Sequence, residues 1–220
     1  MKLPESFKIG NIPYAVLTSA KYTAQLNGAD LHADVNMATM ELLINGTSVD
    51  QRQRQGLFIS IIRAAFMEAG IIQQKNEQGD LIARLGYALL QILLDNPTDW
   101  VANLTIEPPR VFRIGCTMYE LDQGEEAQGE LDGAGLWGLA RYNDCKILLD
   151  NKIPVPKRQE TLIHELLHAV LNTYFLENTE DFVYKFTPVL FQLLRENDFT
   201  WIREADLAEA VNDTEHAKVC

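Results

Sequence analysis

The two halves of this chain repeat one another in the same order. Phe7-Lys8-Ile9-Gly10, followed by Tyr14, recurs as Phe112-Arg113-Ile114-Gly115, followed by Tyr119, with position 7 matching position 112. We interpret the repeat as a tandem duplication with a junction near residues 106–110, where two prolines interrupt the chain. The alternative is two unrelated halves of similar composition. Later matches keep the order while the shift falls from 105 to 104 and then to 101 residues: Leu42-Leu43-Ile44 with Ile147-Leu148-Leu149, Arg54-Gln55 with Arg158-Gln159, Asn96 with Asn197, and Trp100 with Trp201.

Each copy shows the same order of expected elements, which indicates an α+β fold. Short apolar segments come first, at 7–17, 30–37 and 40–44 and again at 111–121, 136–142 and 145–150. Two helices are expected next, over 50–69 and 80–94 in the first copy and over 156–175 and 179–195 in the second. A short acidic helix is expected at 203–211. The sequence therefore predicts two tandem units, residues 1–106 and 107–220, each a small three-stranded sheet followed by two helices.

One of the expected helices carries the run His164-Glu165-Leu166-Leu167-His168. Residues four apart lie on one helical face, so both imidazoles can reach one metal ion. The glutamate beside the first histidine can then take a proton from a water at the metal. The alternative is a surface helix with two incidental histidines. Apolar residues around the run argue against it, since buried histidines need polar partners, which a metal would supply.

A tetrahedral catalytic zinc needs a third protein ligand and keeps one position for water. The two other histidines lie in the first copy and in the tail, so a carboxylate near the next helix is the better candidate. Glu177, Glu180 and Asp181 are available. At a shift of 101 residues Glu180 corresponds to Gly79, and it is therefore missing from the first copy, as the histidines are. This favours Glu180; the alternative is a solvated acid that interacts with the helix dipole.

The first copy lacks the metal chemistry altogether. At a shift of 104 residues the motif positions are occupied by other residue types, so we expect one Zn²⁺ per chain and a degenerate first copy that packs against, covers or recognises something for the second. The expected counterparts of His164, Glu165 and His168 are Ser60, Ile61 and Ala64.

The motif with its following helix resembles the minimal zincin metallopeptidases of the ImmA/IrrE type, particularly those carried by phages and mobile elements. The resemblance covers about residues 111–201 and, in degenerate form, the first copy. It implies a three-stranded sheet before the motif helix, zinc bound by His164, His168 and Glu180, and Glu165 as the general base. It also implies that an edge strand pairs with an extended peptide substrate, and Lys146, Ile147 and Leu148 are in the matching place.

Some further residues are candidates for supporting roles. Glu160 lies four residues before His164 on the same helical face, where it is as much a candidate for holding a ligand in place as for having no role at the site. For Tyr174 and Tyr184 a place in the core or at the rim is favoured over stabilisation of an oxyanion.

Composition and charge limit the classes of molecule that the chain can be expected to bind. Lys and Arg number 19 against 31 Asp and Glu, which gives a net charge of −12 and disfavours nucleic-acid binding. The three cysteines are widely spaced, and no signal or membrane-spanning segment is evident, so we expect a cytoplasmic protein, in the bacterial host if phage-encoded.

The favoured function is a zinc metallopeptidase with a specific protein target. The alternatives are a phage-type binding protein that inhibits a host factor and uses zinc only to clamp two helices, and a zinc-free adaptor.

Overall fold

Both halves of the chain form the same mixed sheet. The computed structural model describes residues 3–72 and 78–203. The first sheet pairs in the order β1-β2-β4-β3, and the second in the order β5-β6-β8-β7. The predicted α+β class and the shared strand order are confirmed. The strands are β1 (Ser6–Ile9), β2 (Ile12–Thr18), β3 (Ala33–Asn36), β4 (Glu41–Ile44), β5 (Val111–Ile114), β6 (Thr117–Asp122), β7 (Gly138–Arg141) and β8 (Lys146–Leu149).

The prediction of three-stranded sheets is wrong, because each sheet has four strands. The segments 7–17 and 111–121, each expected to be one strand, are hairpins that turn at Gly10 and Gly115. Both glycines have φ of 60°, a conformation that lacks a steric penalty only for glycine. Gly10-Asn11 between two short apolar runs is a hairpin signal that was not used in the sequence interpretation.

Two long helices follow each sheet, as expected, and a short helix connects the second and third strands of each sheet. The short helix in each sheet was not predicted, because its apolar periodicity is weak; the first of these helices buries only Leu26. The acidic helix expected at 203–211 lies outside the described residues, apart from its first position. None of the described helices has the length and apolar character needed to cross a membrane. The helices are α1 (Ala20–Gly28), α2 (Asp50–Glu68), α3 (Gly79–Asp95), α4 (Asp99–Ala102), α5 (Glu125–Ala134), α6 (Val155–Thr173) and α7 (Glu180–Glu196).

The structure aligns helix α2 with helix α6 at a shift of 105 residues, not 104. Tyr14 donates a hydrogen bond to Glu68 at 2.8 Å, and Tyr119 pairs with Thr173 at 3.3 Å, so these two pairs are equivalent. The expected counterparts Ser60, Ile61 and Ala64 are therefore wrong by one position. The inference that the first copy lacks the ligands is unaffected, because the true counterparts of His164, Glu165 and His168 are Ile59, Ser60 and Arg63.

The halves share one continuous apolar core and exchange a reciprocal pair of asparagines. Asn96, just after α3, accepts from the Arg113 N–H at 2.7 Å and donates to its carbonyl at 2.8 Å. Asn197, just after α7, makes the same two bonds with Lys8, also at 2.7 and 2.8 Å. Because β1 and β5 are outer strands, each asparagine binds the edge of the other half's sheet. The two halves therefore form a pseudo-dimer within one chain.

Replacing Asn96 with alanine should destabilise the whole chain by about 1–3 kcal/mol. The asparagine is 4% exposed, and its loss leaves the Arg113 N–H and carbonyl without their partner. Urea unfolding measures the effect. Asn103→Ala is the control, since Asn103 only accepts local bonds from Thr105. Equal unfolding free energies for the two variants would contradict the proposed role of Asn96 in joining the halves.

Candidate metal centre

Three side chains converge between α6 and α7. The Nε2 atoms of His164 and His168 are 3.2 Å apart. Glu180, the first residue of α7, places Oε1 3.2 Å from the first nitrogen and Oε2 3.1 Å from the second. Ligands at the corners of a tetrahedron with zinc bonds of about 2.0–2.1 Å lie about 3.3 Å apart. The separation of the two Nε2 atoms therefore matches one edge of a tetrahedral zinc site, and Glu180 faces each nitrogen with a different oxygen. With one ligand atom taken from each residue, the three groups lie within 4.8 Å of one another. We call His164, His168 and Glu180 the ligand triangle.

In the neutral form of each imidazole, the contacts hold the proton on Nδ1, so that the unprotonated Nε2 faces this triangle. His168 donates from Nδ1 to Asn178 Oδ1 at 2.7 Å. Nδ1 of His164 lies 3.3 Å from Thr187 Oγ1, whose own proton goes to the Val183 carbonyl at 2.7 Å, so Thr187 accepts from His164. When both rings are neutral, the two nitrogen lone pairs and the Glu180 carboxylate face one another and repel unless a proton or a metal ion lies between them. The donor set therefore fits a metal ion.

The surroundings of His164 also favour the form that binds a metal. Burial, and then the neighbouring His168, lower the pKa of His164 below its ordinary value, although Glu180 acts in the opposite direction. Metal ligation requires a neutral imidazole. Burial therefore prepares this side chain for ligation at neutral pH.

Glu165 lies beside the triangle and is only 7% exposed. Burial raises the pKa of its carboxyl from 4.5 to about 7, a hydrogen bond from the Ala140 backbone N–H opposes the shift, and the charge of Glu180 adds to it. A carboxyl with a pKa near 7 can both accept and return a proton at neutral pH. This is the environment that a general base requires.

Strand β7 passes close to α6, and Gly138 makes this approach possible. A Cβ atom on Gly138 would lie 2.8 Å from Cγ of Glu165 and 2.8 Å from Cγ2 of Thr161. In the first half the counterpart of Gly138 is Ala33, and the glycine is on the helix instead, at Gly56, the counterpart of Thr161. A Cβ on Gly56 would lie 3.0 Å from the backbone nitrogen of Ala33. Each half therefore has one glycine at this contact, and in the second half it leaves room for the base.

The triangle opens into a cleft of about 620 Å³, with β7 in one wall and α6 and α7 in the other. Strand β7 pairs with β8 on one side and has no strand on its other side within the described residues. Asp150 N–H donates to the Trp137 carbonyl at 2.9 Å. Because antiparallel pairs alternate, the N–H and C=O groups of Gly138 and Ala140 point away from β8. The Ala140 N–H is used by Glu165. The Gly138 N–H and the two carbonyls make no hydrogen bond to a described residue, although both residues are buried at the wall of the cleft.

The prediction that Lys146, Ile147 and Leu148 form the substrate edge is wrong. These residues lie in β8, which pairs with both β6 and β7. Their backbone groups are therefore already used by two neighbouring strands. The chain turns sharply after β7 and inserts β8 beside β6, which leaves β7 at the edge.

Of the three acids proposed as the third ligand, Glu180 is the one that meets both histidines within the described residues. Asp181 pairs with Lys185 at 2.7 Å, and Glu177 is exposed. Glu160 lies in the cleft but accepts from Lys157 at 2.9 Å. The side chains that orient the two histidines are therefore Asn178, which binds His168, and Thr187, which binds His164. Neither residue was predicted from the sequence.

Comparisons of the chain with protein-family models, with curated proteins and with solved structures gave no match.

Proposed function

We propose that this chain is a zinc-dependent peptidase that hydrolyses an extended segment of a protein. The observation that carries the proposal is the triangle of His164, His168 and Glu180 with Glu165 beside it. A structural zinc site is closed by four protein ligands, whereas a catalytic site uses three and keeps one position for solvent or substrate. Among the described residues three ligand groups meet here, and a cleft opens onto them. Both features support catalysis.

Each residue of the site has a separate role in the proposed hydrolysis. Zinc, when bound, lowers the pKa of a water and polarises the carbonyl under attack. Thr187 and Asn178 accept the Nδ1 protons of the neutral His164 and His168 rings, so that each Nε2 is turned towards the metal position. Glu165 takes the proton of the attacking water and passes it to the leaving nitrogen.

The outer edge of β7, which lines the cleft, supports an extended peptide as the substrate. Its outward carbonyls and the Gly138 N–H can pair with a peptide backbone in the manner of an added strand. Since Gly138 is in contact with Glu165, a peptide on this edge passes beside the base. The alternative function, a binding protein in which zinc only clamps two helices, has no use for a base whose pKa is near 7.

Metal analysis tests the proposed site. We expect one zinc per chain, because the first half has Ile59, Arg63 and Gly79 at the ligand positions, and no zinc in the His168→Ala variant. A structure of the loaded protein should show a Glu180 oxygen at about 2.0–2.2 Å from the metal. The control is His32→Ala, since His32 pairs with Ser48 in the first half. Two zinc ions per chain, or zinc retained by His168→Ala, would contradict the assignment.

A further inference from the structure

Tyr142 stands at the end of β7 with a hydroxyl proton that is free to bind a ligand. Its ring lines the cleft together with Glu165, His168 and Glu180. The hydroxyl oxygen accepts a hydrogen bond from Asn178 Nδ2 at 3.0 Å. It donates to no residue in the described part of the chain, so its own proton can be given to a molecule in the cleft.

Asn178 connects this tyrosine to the proposed metal site. Its Oδ1 accepts from His168 Nδ1 at 2.7 Å, and its Nδ2 also lies 3.3 Å from the His168 carbonyl oxygen. Exchanging the amide oxygen and nitrogen would place the amide oxygen against the His168 carbonyl oxygen, which also only accepts, so the amide has one orientation. The position of the Tyr142 oxygen is therefore tied to the position of a ligand histidine.

The tyrosine remains protonated at neutral pH. Burial raises the pKa of Tyr142, the bond from Asn178 lowers it, and the charges of Glu165 and Glu180 raise it further. In the pH range where Glu165 can act as a base, the Tyr142 hydroxyl therefore keeps its proton and can donate a hydrogen bond while its oxygen accepts one from Asn178.

We propose that Tyr142 is a further catalytic residue, whose hydroxyl donates a hydrogen bond to the carbonyl oxygen of the scissile peptide bond. This inference rests on the proposed peptidase function. When the water oxygen bonds to the carbonyl carbon, the π electron pair moves to the carbonyl oxygen and Glu165 takes the water's proton. Tyr142 keeps its proton and stabilises the charged oxygen. The C–N bond then breaks, and Glu165 gives the proton to the leaving nitrogen. Asn178 is a positioning residue.

The other tyrosines near the site fit this role less well. Tyr184 lines the cleft but is 73% exposed, and no hydrogen bond to a described residue fixes its hydroxyl. Tyr174 points elsewhere, since its hydroxyl oxygen lies 3.6 Å from the position of a Cβ on Gly115, in the β5–β6 hairpin. Tyr142 is the tyrosine that is both in the cleft and fixed relative to His168.

The test compares two probes on the cobalt(II)-loaded protein by visible absorption. Benzylphosphonate has charged tetrahedral oxygens that accept hydrogen bonds, whereas the sulfur of 2-mercaptoethanol accepts them weakly. Tyr142→Phe should bind the phosphonate roughly tenfold to a hundredfold more weakly and should bind the thiol and the metal as the parent does. Asn178→Ala should also bind the metal roughly tenfold to a hundredfold more weakly. Tyr184→Phe, the matched control, should leave both probes unchanged.

The outcomes separate this inference from the function on which it rests. Equal phosphonate affinity in the parent and in Tyr142→Phe overturns the role of the tyrosine and leaves the peptidase proposal standing. Weaker binding of both probes to Tyr142→Phe shows a structural role and overturns the inference as well. If the parent binds no cobalt, or if neither probe changes its spectrum, there is no open metal position and both proposals fail.

Discussion

Replacing Glu165 with glutamine should abolish peptide hydrolysis and leave one zinc in the chain. Glutamine keeps the size of the side chain but cannot take the water's proton, and loss of a positioned base costs roughly a hundredfold to ten-thousandfold in rate. The ligand triangle is formed by other side chains and should remain. The measurement is the number of new peptide termini, by mass spectrometry, after zinc-loaded protein is incubated with a peptide library.

Glu177→Gln is the control for this experiment, because Glu177 is an exposed acid in the loop before α7. It should cleave as the parent does. Undiminished cleavage by Glu165→Gln would show that the base is a different group. If the zinc-loaded parent cleaves neither the library nor proteins of a host extract, the binding-protein alternative becomes the favoured hypothesis.

The same substitution should change how the metal-free protein responds to pH. The carboxyl has a pKa of about 7 in the folded chain against 4.5 ordinarily, so folding favours its protonated form. This favourable contribution is complete below about pH 4.5 and is lost as the pH rises through 7, to a total of about 3 kcal/mol. Glu165→Gln does not titrate and should lack this loss. Urea unfolding of both proteins at pH 5 and pH 8 measures it, and parallel changes would refute the perturbed carboxyl.

Local patterns predicted the site better than they predicted the sheets. The i, i+4 histidines depend only on helical geometry, and Glu180 depends on a short loop, so spacing along the chain was sufficient to place them. The order of strands in a sheet is a long-range property. Nothing in the sequence of β8 distinguishes an inner strand from an edge strand, which is why Lys146 and its neighbours were assigned to the substrate edge.

The register error between the repeats has a similar cause. The match of Arg54-Gln55 with Arg158-Gln159 suggested a shift of 104. In the structure, the equivalent positions of the two helices are those that pack at the same place in each half, and these differ by 105. Tyr14 with Glu68 and Tyr119 with Thr173 are partly buried contacts that fix the helix against the hairpin. Such pairs are far apart in sequence, and a single chain without its structure does not show that they touch.

Replacing Gly138 with alanine should weaken both the fold and the hydrolysis. The new Cβ would lie 2.8 Å from Glu165 Cγ and from Thr161 Cγ2, so β7 or the base must move. Overpacking of this kind costs about 1–3 kcal/mol, and a displacement of about 1 Å at the chemistry can cost roughly a hundredfold in rate. Urea unfolding and cleavage rates measure the two effects. Gly133→Ala is the control, since a Cβ there meets nothing within 4 Å.

A double variant separates the two contacts of Gly138. Gly138→Ala with Thr161→Gly rebuilds the first half's arrangement, in which Ala33 faces Gly56, and it removes the conflict with the helix at 161. The conflict with Glu165 remains, because the first half has the shorter Ser60 at that position. We therefore expect part of the stability to return while hydrolysis stays low. Wild-type hydrolysis by Gly138→Ala alone would show that the close approach of β7 is not required. Full recovery in the double variant would show that Thr161, rather than the base, is the side chain that demands a glycine on the strand.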